Sequence, residues 1–209
     1  MKKFILITAV FTTFAFSFAC DNQQTANSNS SETPNVRKDV KPVADDEIAV
    51  IEMENPAAYG TIKIELYSNV APQMVKRFKE LAAEGVYDGV TFHRINPEVI
   101  QTGDPNSKDD DPGNDGMGGS DKPDVPAEFS DIPYDTGIVG AARGQEFDSA
   151  NSQFFITRKR VPGFDNRYTI FGKVIEGMGN VSVIAGVPKQ GERPTDDVRI
   201  KTIKIVPKQ

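Results

Sequence analysis

The stretch from residue 92 to residue 104 constrains the fold more than any other part of this sequence. Two short apolar runs flank Asn-Pro-Glu at 96–98, a turn signal, and this pattern predicts a tight β-hairpin. Directly opposed residues of a hairpin share one face of the sheet. With the turn at this position, Arg94 lies opposite Gln101, so a guanidinium and an amide stand side by side.

Two apolar side chains, Phe92 and Val99, are expected beside this polar pair, which would set it into an apolar wall. An exposed edge hairpin with a solvated arginine explains the same residues equally well. The hairpin can therefore be given a role only together with the rest of the chain.

Three further blocks follow the hairpin in a fixed order, at 137–143, 149–157 and 168–177. The second contains Ser-Gln-Phe-Phe-Ile and the third contains Phe-Gly-Lys-Val. Together with Phe-His-Arg and Gln-Thr-Gly-Asp-Pro of the hairpin, their order and spacing resemble a cyclophilin-type peptidyl-prolyl isomerase. The resemblance covers roughly Glu47 to Val206, and the two blocks are specific in combination.

Alternating and continuous apolar runs predict strands around the hairpin at 48–53, 61–67, 137–142, 152–157, 168–176 and 198–206. Pro72 and Gly85 bound a predicted helix, and a second, shorter helix is predicted over 178–184. The buried stripe of the first helix is expected to be Met74, Val75, Phe78 and Leu81. These elements match the mainly β fold that the resemblance implies, a closed eight-stranded antiparallel barrel capped by two α-helices. Because side chains fill such a barrel, its site must lie on an outer face.

The N-terminus predicts export. Residues 1–19 combine two lysines with an apolar run, as in a secretory signal peptide, and Cys20 follows directly in a sequence that resembles a bacterial lipobox. Ser17 and Phe18 depart from that pattern, and ordinary cleavage with a leftover thiol is the alternative. We expect lipidation of Cys20, because the chain's single cysteine falls at the end of the apolar run.

Residues 20–45 are polar and predict a flexible tether between the lipid anchor and a domain spanning 46–209. The domain is then expected in the cell envelope, facing the periplasm and anchored to the inner or outer membrane. We also expect a monomer.

Composition excludes several function classes. The net charge of −6 argues against binding nucleic acid, and a single histidine with a single cysteine argues against a zinc site. The acidic loop 109–115 has enough carboxylates for Ca²⁺, but its spacing is not that of an EF-hand, and a solvated loop is favoured. No cofactor and no metal are expected.

Isomerisation of an X–Pro bond requires neither a nucleophile nor a metal. The barrier is about 18–20 kcal/mol, because resonance stabilises the planar amide. In the twisted amide the prolyl nitrogen regains a lone pair, and a fixed donor aimed at it favours the transition state alone. Arginine suits this task, since it is always charged and carries its donors in a rigid fork.

The resemblance assigns roles to individual residues. Arg94 matches the catalytic arginine, and Gln101 matches the amide that binds substrate backbone and steadies that arginine. His93 lies next to the site and is expected to point away from Arg94, with a structural role. The remaining matches are the proline pocket and its rim at Phe92, Val99, Phe155, Phe164 and Tyr168, the segment that pairs with substrate backbone at Ala142 and Arg143, and a second amide at Gln153.

The sequence departs from the family pattern at the pocket. It contains no tryptophan, and Gly163-Phe164 stands where Trp-Leu is found in other members. The hairpin turn is one residue shorter, so that Glu98 falls nearest to a missing phenylalanine, and Tyr168 replaces a rim histidine. Two functions therefore stay open: an isomerase acting on proline-containing unfolded or exported polypeptides, and a tethered module that binds such segments with little turnover.

Overall fold

The computed structural model describes residues 34–208. The predicted signal peptide 1–19, Cys20 and the tether up to residue 33 lie outside the described residues. The strands are β1 (Glu47–Met53), β2 (Thr61–Leu66), β3 (Arg94–Ile95), β4 (Val99–Thr102), β5 (Ile138–Ala141), β6 (Phe154–Thr157), β7 (Ile170–Glu176), β8 (Lys189–Gln190), β9 (Arg193–Pro194) and β10 (Ile200–Pro207). The helices are α1 (Pro56–Tyr59), α2 (Pro72–Ala83) and α3 (Met178–Ala185).

Eight of the strands form one curled antiparallel sheet in the order β10-β1-β2-β7-β5-β6-β4-β3, while β8 and β9 form a separate hairpin. The mainly β fold is confirmed, and the prediction of a closed barrel is wrong. Between the edge strands the described chain makes one isolated bridge, Thr91 to Arg199. Phe92 N still binds Val198 O at 3.0 Å, but Ile95 N binds Glu192 O of the β8–β9 hairpin at 2.6 Å and not β10, and the pairing does not continue along β3.

Helix α2 closes one side of the curl. Pro72 opens the helix, and the carboxylate of Glu128 accepts hydrogen bonds from the free backbone N–H groups of Gln73 and Met74, at 3.1 and 3.0 Å. All four residues of the predicted stripe are buried, namely Met74, Val75, Phe78 and Leu81. Full burial of such a side chain contributes about 1.5–3 kcal/mol, so this face fixes the helix on the sheet.

The hairpin of β3 and β4 has the predicted register, in which Arg94 pairs with Gln101. Its turn is held by the side chain of Asn96, whose Oδ1 accepts from the backbone N–H groups of Glu98 and Val99, each at 2.9 Å. This local satisfaction of backbone donors explains why the short Asn-Pro-Glu sequence suffices to set the register.

The segment 37–45, predicted as part of the tether, lies against the domain. Arg37 forms a parallel bridge with Ser130. Val43 N donates to the side chain of Asn69 at 3.0 Å, and Asp45 forms an ion pair with Lys79 at 2.8 Å. The contacts of the folded domain therefore begin before the predicted boundary at residue 46. Within residues 34–208, no helix has the length and apolarity needed to span a bilayer.

Candidate active site

A cavity of about 490 Å³ opens beside the β3–β4 hairpin. Most of the residues singled out from the sequence line it, although they come from separate elements of the chain. Those residues are His93, Arg94, Val99, Gln101, Ala142, Arg143, Phe155, Phe164 and Tyr168. The sheet thus brings together nine of the predicted site residues.

A chain of hydrogen bonds through two side-chain amides links Arg94 to the backbone of Gly118. The Nη1 of Arg94 donates to Gln101 Oε1 at 3.2 Å, and Gln101 Nε2 donates to Gln153 Oε1 at 2.9 Å. Gln153 Nε2 in turn donates to the carbonyl of Gly118 at 2.8 Å. Each amide is fixed in orientation by its neighbour, so the predicted pairing of arginine and glutamine gains a third member that anchors it to the backbone.

Aromatic rings form the apolar part of the cavity. The ring of Phe155 lies 5.4 Å from Phe164, 5.6 Å from Tyr168 and 5.8 Å from Tyr134, measured between centroids. Phe155 pairs across the strands with Gly140, which has no side chain to displace the ring. The rings pack edge to face or tilted, which holds the walls in place around a space suited to a small apolar ring.

Glu192 is the main site residue that no pattern in the sequence predicts. Its Oε2 accepts from Arg94 Nε at 2.6 Å, and its Oε1 accepts from Asn96 Nδ2 at 3.2 Å. The hydrogen bond from Arg94 lowers the pKa of Glu192 below its ordinary value. The Gln-Gly-Glu-Arg sequence at 190–193 is a turn signal that could have predicted this hairpin, but not where its tip would dock.

The side chain of Arg143 is fixed by contacts with two aromatic rings and three backbone carbonyls. Its guanidinium lies 4.9 Å from the ring of Phe147 and 4.8 Å from that of Tyr168, and it donates to the carbonyls of Gly144, Gln145 and Arg167. Arg143 therefore joins two loops at the rim of the cavity. Cation–π contacts of this kind contribute about 0.5–1 kcal/mol each at exposed sites.

One prediction about the start of the hairpin is corrected. Phe92 is fully buried in the main core and does not line the cavity. His93 lies beside the site, as predicted, and lines the cavity with Arg94. Regular alternation fails here because β3 begins only at Arg94, and Phe92 N binds Val198 O at 3.0 Å instead.

His93 is 7% exposed, and neither of its ring nitrogens has a hydrogen-bond partner among the described residues. Burial lowers the pKa of His93, because the charged form is poorly solvated there.

A second cavity of about 440 Å³ adjoins the first and shares Gln101, Gly116, Ala142 and Arg143 with it. Gln153 lines this second space and not the first.

In the acidic loop, Asp115 forms an ion pair with Arg193 at 2.6 Å, and burial raises the pKa of Asp115. The described residues contain no group of three or more side chains that could hold a metal ion.

The arrangement can hold an apolar ring against Phe155 and present a guanidinium to it. Arg94 is the charged donor, and its side chain is 46% exposed and therefore reachable by a ligand. An extended chain on either side of such a ring can follow the two adjoining cavities.

Comparisons with known proteins agree on one family. Residues 49–205 match the family model for cyclophilin type peptidyl-prolyl cis-trans isomerases. The chain is 46% identical over 130 residues to a "Probable peptidyl-prolyl cis-trans isomerase" of Brucella suis, a match that spans 60% of this chain and 66% of that relative. It is 35% identical over 155 residues to "Peptidyl-prolyl cis-trans isomerase-like 1" of Aspergillus oryzae, covering 70% of this chain and 90% of the relative.

Among solved structures, the fold is similar to a cyclophilin type peptidyl-prolyl cis-trans isomerase of Cryptosporidium parvum, crystallised in the presence of the dipeptide Ala-Pro. The TM-score is 0.68 at 30% sequence identity, and the match covers 77% of this chain and 99% of that one.

Proposed function

Because the chain belongs to the family of cyclophilin-type peptidyl-prolyl cis-trans isomerases, we propose that it accelerates X–Pro rotation by donation from Arg94 to the prolyl nitrogen. The observation that carries this proposal is the position of Arg94, held by Gln101 at the edge of a pocket lined by Phe155. In the proposed complex the proline ring occupies that pocket.

The required rate gain is within reach of such a site. Uncatalysed exchange takes tens to hundreds of seconds, and reaching milliseconds requires about a 10⁵-fold gain, or about 7 kcal/mol. One preorganised donor contributes about 3 kcal/mol, and the orientation of the bound peptide supplies a further share. The guanidinium acts on the twisted amide, where the prolyl nitrogen has become an acceptor, and hardly on the planar ground state.

A protease-coupled assay with a proline tetrapeptide tests this mechanism. The matched variant is Arg94→Lys, which keeps the positive charge and loses the rigid fork of donors. We expect Arg94→Lys to lose most of the turnover and to have the same urea unfolding midpoint as the wild-type protein. Full turnover in Arg94→Lys would show that charge alone acts on the substrate.

A binding module with little turnover is the second candidate. The ion pair of Arg94 with Glu192 favours it, because a partly neutralised guanidinium is a weaker donor to the substrate. Peptide binding without faster exchange would support this candidate.

We further propose that the domain acts on unfolded or exported proline-containing polypeptides from a lipid anchor at Cys20. The support is the apolar run with two lysines before the chain's single cysteine. Two or more acyl chains hold a protein firmly on a membrane, at about 0.8 kcal/mol per buried CH₂. Fractionation tests the anchor: wild-type protein should sediment with membranes, and Cys20→Ser should be released or remain as uncut precursor. Soluble wild-type protein with a free thiol at position 20 would contradict it.

A further inference from the structure

The hairpin of β8 and β9 approaches the proposed active site from a part of the chain for which the sequence predicts no role. Its turn is Gly191-Glu192, where Gly191 adopts a φ of 65° that favours glycine. The turn places the carboxylate of Glu192 against Arg94, with Nε and Oε2 separated by 2.6 Å.

Several contacts fix this carboxylate. The backbone carbonyl of Glu192 accepts from Ile95 N at 2.6 Å, which joins the hairpin tip to β3 beside Arg94. The second carboxylate oxygen accepts from Asn96 Nδ2 at 3.2 Å. The next residue, Arg193, forms an ion pair with Asp115, whose side chain is only 8% exposed. Glu192 is therefore held at both its backbone and its side chain.

Arg94 is consequently restrained on two sides. Nε binds Glu192, and Nη1 binds Gln101 Oε1 at 3.2 Å. A guanidinium carries five N–H donors in a plane, so fixing two of its nitrogens fixes the direction of the remaining donors. Those remaining donors, on Nη1 and Nη2, are the ones available to a ligand in the cavity.

We propose that Glu192 is a positioning residue for Arg94, which it orients through Nε so that the Nη groups face the prolyl nitrogen. This inference rests on the proposed role of Arg94 in the mechanism. Glu192 does not contact the reacting bond and acts through the arginine. The negative charge weakens the guanidinium as an electrostatic donor, but the gain in orientation exceeds that loss, because misplacement of a catalytic group is costly.

A purely structural role for this ion pair is disfavoured by its exposure. The side chains of Arg94 and Glu192 are 46% and 50% exposed, and ion pairs with such exposure contribute little to folding. The contact also lies at the cavity and not in the core. We therefore expect loss of this ion pair to reduce turnover and to change stability little.

The test is a double-mutant cycle on kcat and KM, using Glu192→Ala, Arg94→Ala and the two combined. We expect Glu192→Ala to lower kcat by about tenfold with KM changed less than about twofold. Glu192→Gln, which keeps an acceptor for Nε, should recover part of that loss. In the Arg94→Ala background, removal of Glu192 should have no further effect, since it acts only through the arginine.

Glu84→Ala is the matched control, because Glu84 is 49% exposed and forms a 2.8 Å ion pair with Lys122 away from the cavity. It should leave kcat and KM unchanged. Equal losses from Glu192→Ala in both backgrounds would overturn the positioning role, as would unchanged or increased turnover in Glu192→Ala when Arg94→Ala is impaired. Wild-type turnover in Arg94→Ala would instead overturn the mechanism itself, and the positioning role with it.

Discussion

A methyl group added at Gly140 tests the shape of the proposed proline pocket. A Cβ atom at this position would lie 2.5 Å from Cζ of Phe155 and 2.6 Å from the hydroxyl oxygen of Tyr134. Carbon atoms in contact are normally about 3.5–4.0 Å apart, so the ring of Phe155 has to move by about 1 Å. Gly140→Ala therefore forces a rearrangement of the pocket wall.

That movement changes the wall of the pocket. The ring of Phe155 packs against Phe164 and Tyr168, which line the cavity with it, so a shift of the ring alters the space for a bound proline. Overpacking of this kind costs about 1–3 kcal/mol of stability. If the displaced ring removes about 40 Å² of apolar contact with a bound proline, binding weakens by about 1 kcal/mol, or about fivefold.

Urea unfolding and peptide titration measure the two effects on the same protein. Gly163→Ala is the control, because a Cβ atom at Gly163 meets nothing within 4 Å. Its stability should stay within about 0.5 kcal/mol of wild type. A Gly140→Ala protein with the wild-type unfolding midpoint and peptide affinity would refute the proposed packing of Phe155 over Gly140.

Three further variants probe the site. Phe155→Ala should lose about 3 kcal/mol of stability and bind proline peptides more weakly, and unchanged titrations of the folded variant would restrict Phe155 to a role in the core. Arg143→Ala should lose about 1–2 kcal/mol in urea unfolding, because the guanidinium leaves the rings of Phe147 and Tyr168, and an unchanged midpoint would contradict this role. His93 is the chain's single histidine, and burial lowers its pKa. As the pH falls, the unfolded chain therefore binds a proton at His93 at a higher pH than the folded protein does. The free energy of unfolding should therefore fall as pH drops below the ordinary histidine value of about 6.5, and urea unfolding at pH 7.5 and 5.5 should show a smaller drop in His93→Gln than in wild type.

The parts of the fold that the sequence predicted are those set by local rules. The β3–β4 register follows from turn chemistry at Asn96 and from the period of two along each strand. Helix α2 follows from Pro72 and from an apolar stripe at helical spacing. The resemblance to a known family then supplied the long-range order, by which Phe155 and Tyr168 reach the cavity beside Arg94.

What the sequence did not predict depends on tertiary contacts. Phe92 and Arg94 were expected on one face, but the strand begins only at Arg94, and a bond from Phe92 N to Val198 O turns the preceding chain into the core. No local pattern indicates that Ile95 N binds Glu192 O of the β8–β9 hairpin and not β10. The docking of segment 37–45 follows from no local pattern either, since it depends on scattered tertiary contacts, such as the ion pair of Asp45 with Lys79 and the packing of Val40 and Ala44 against buried residues.

The central claim is that Arg94 accelerates rotation about the X–Pro bond and does not merely bind the peptide. Exchange NMR on an Ala-Pro peptide tests it most directly, because one sample reports both the cis–trans exchange rate and peptide binding at equilibrium. We expect folded Arg94→Ala to retain peptide binding and to lose two orders of magnitude or more in catalysed exchange, about 3 kcal/mol for one transition-state donor. Wild-type exchange rates in folded Arg94→Ala would contradict the claim.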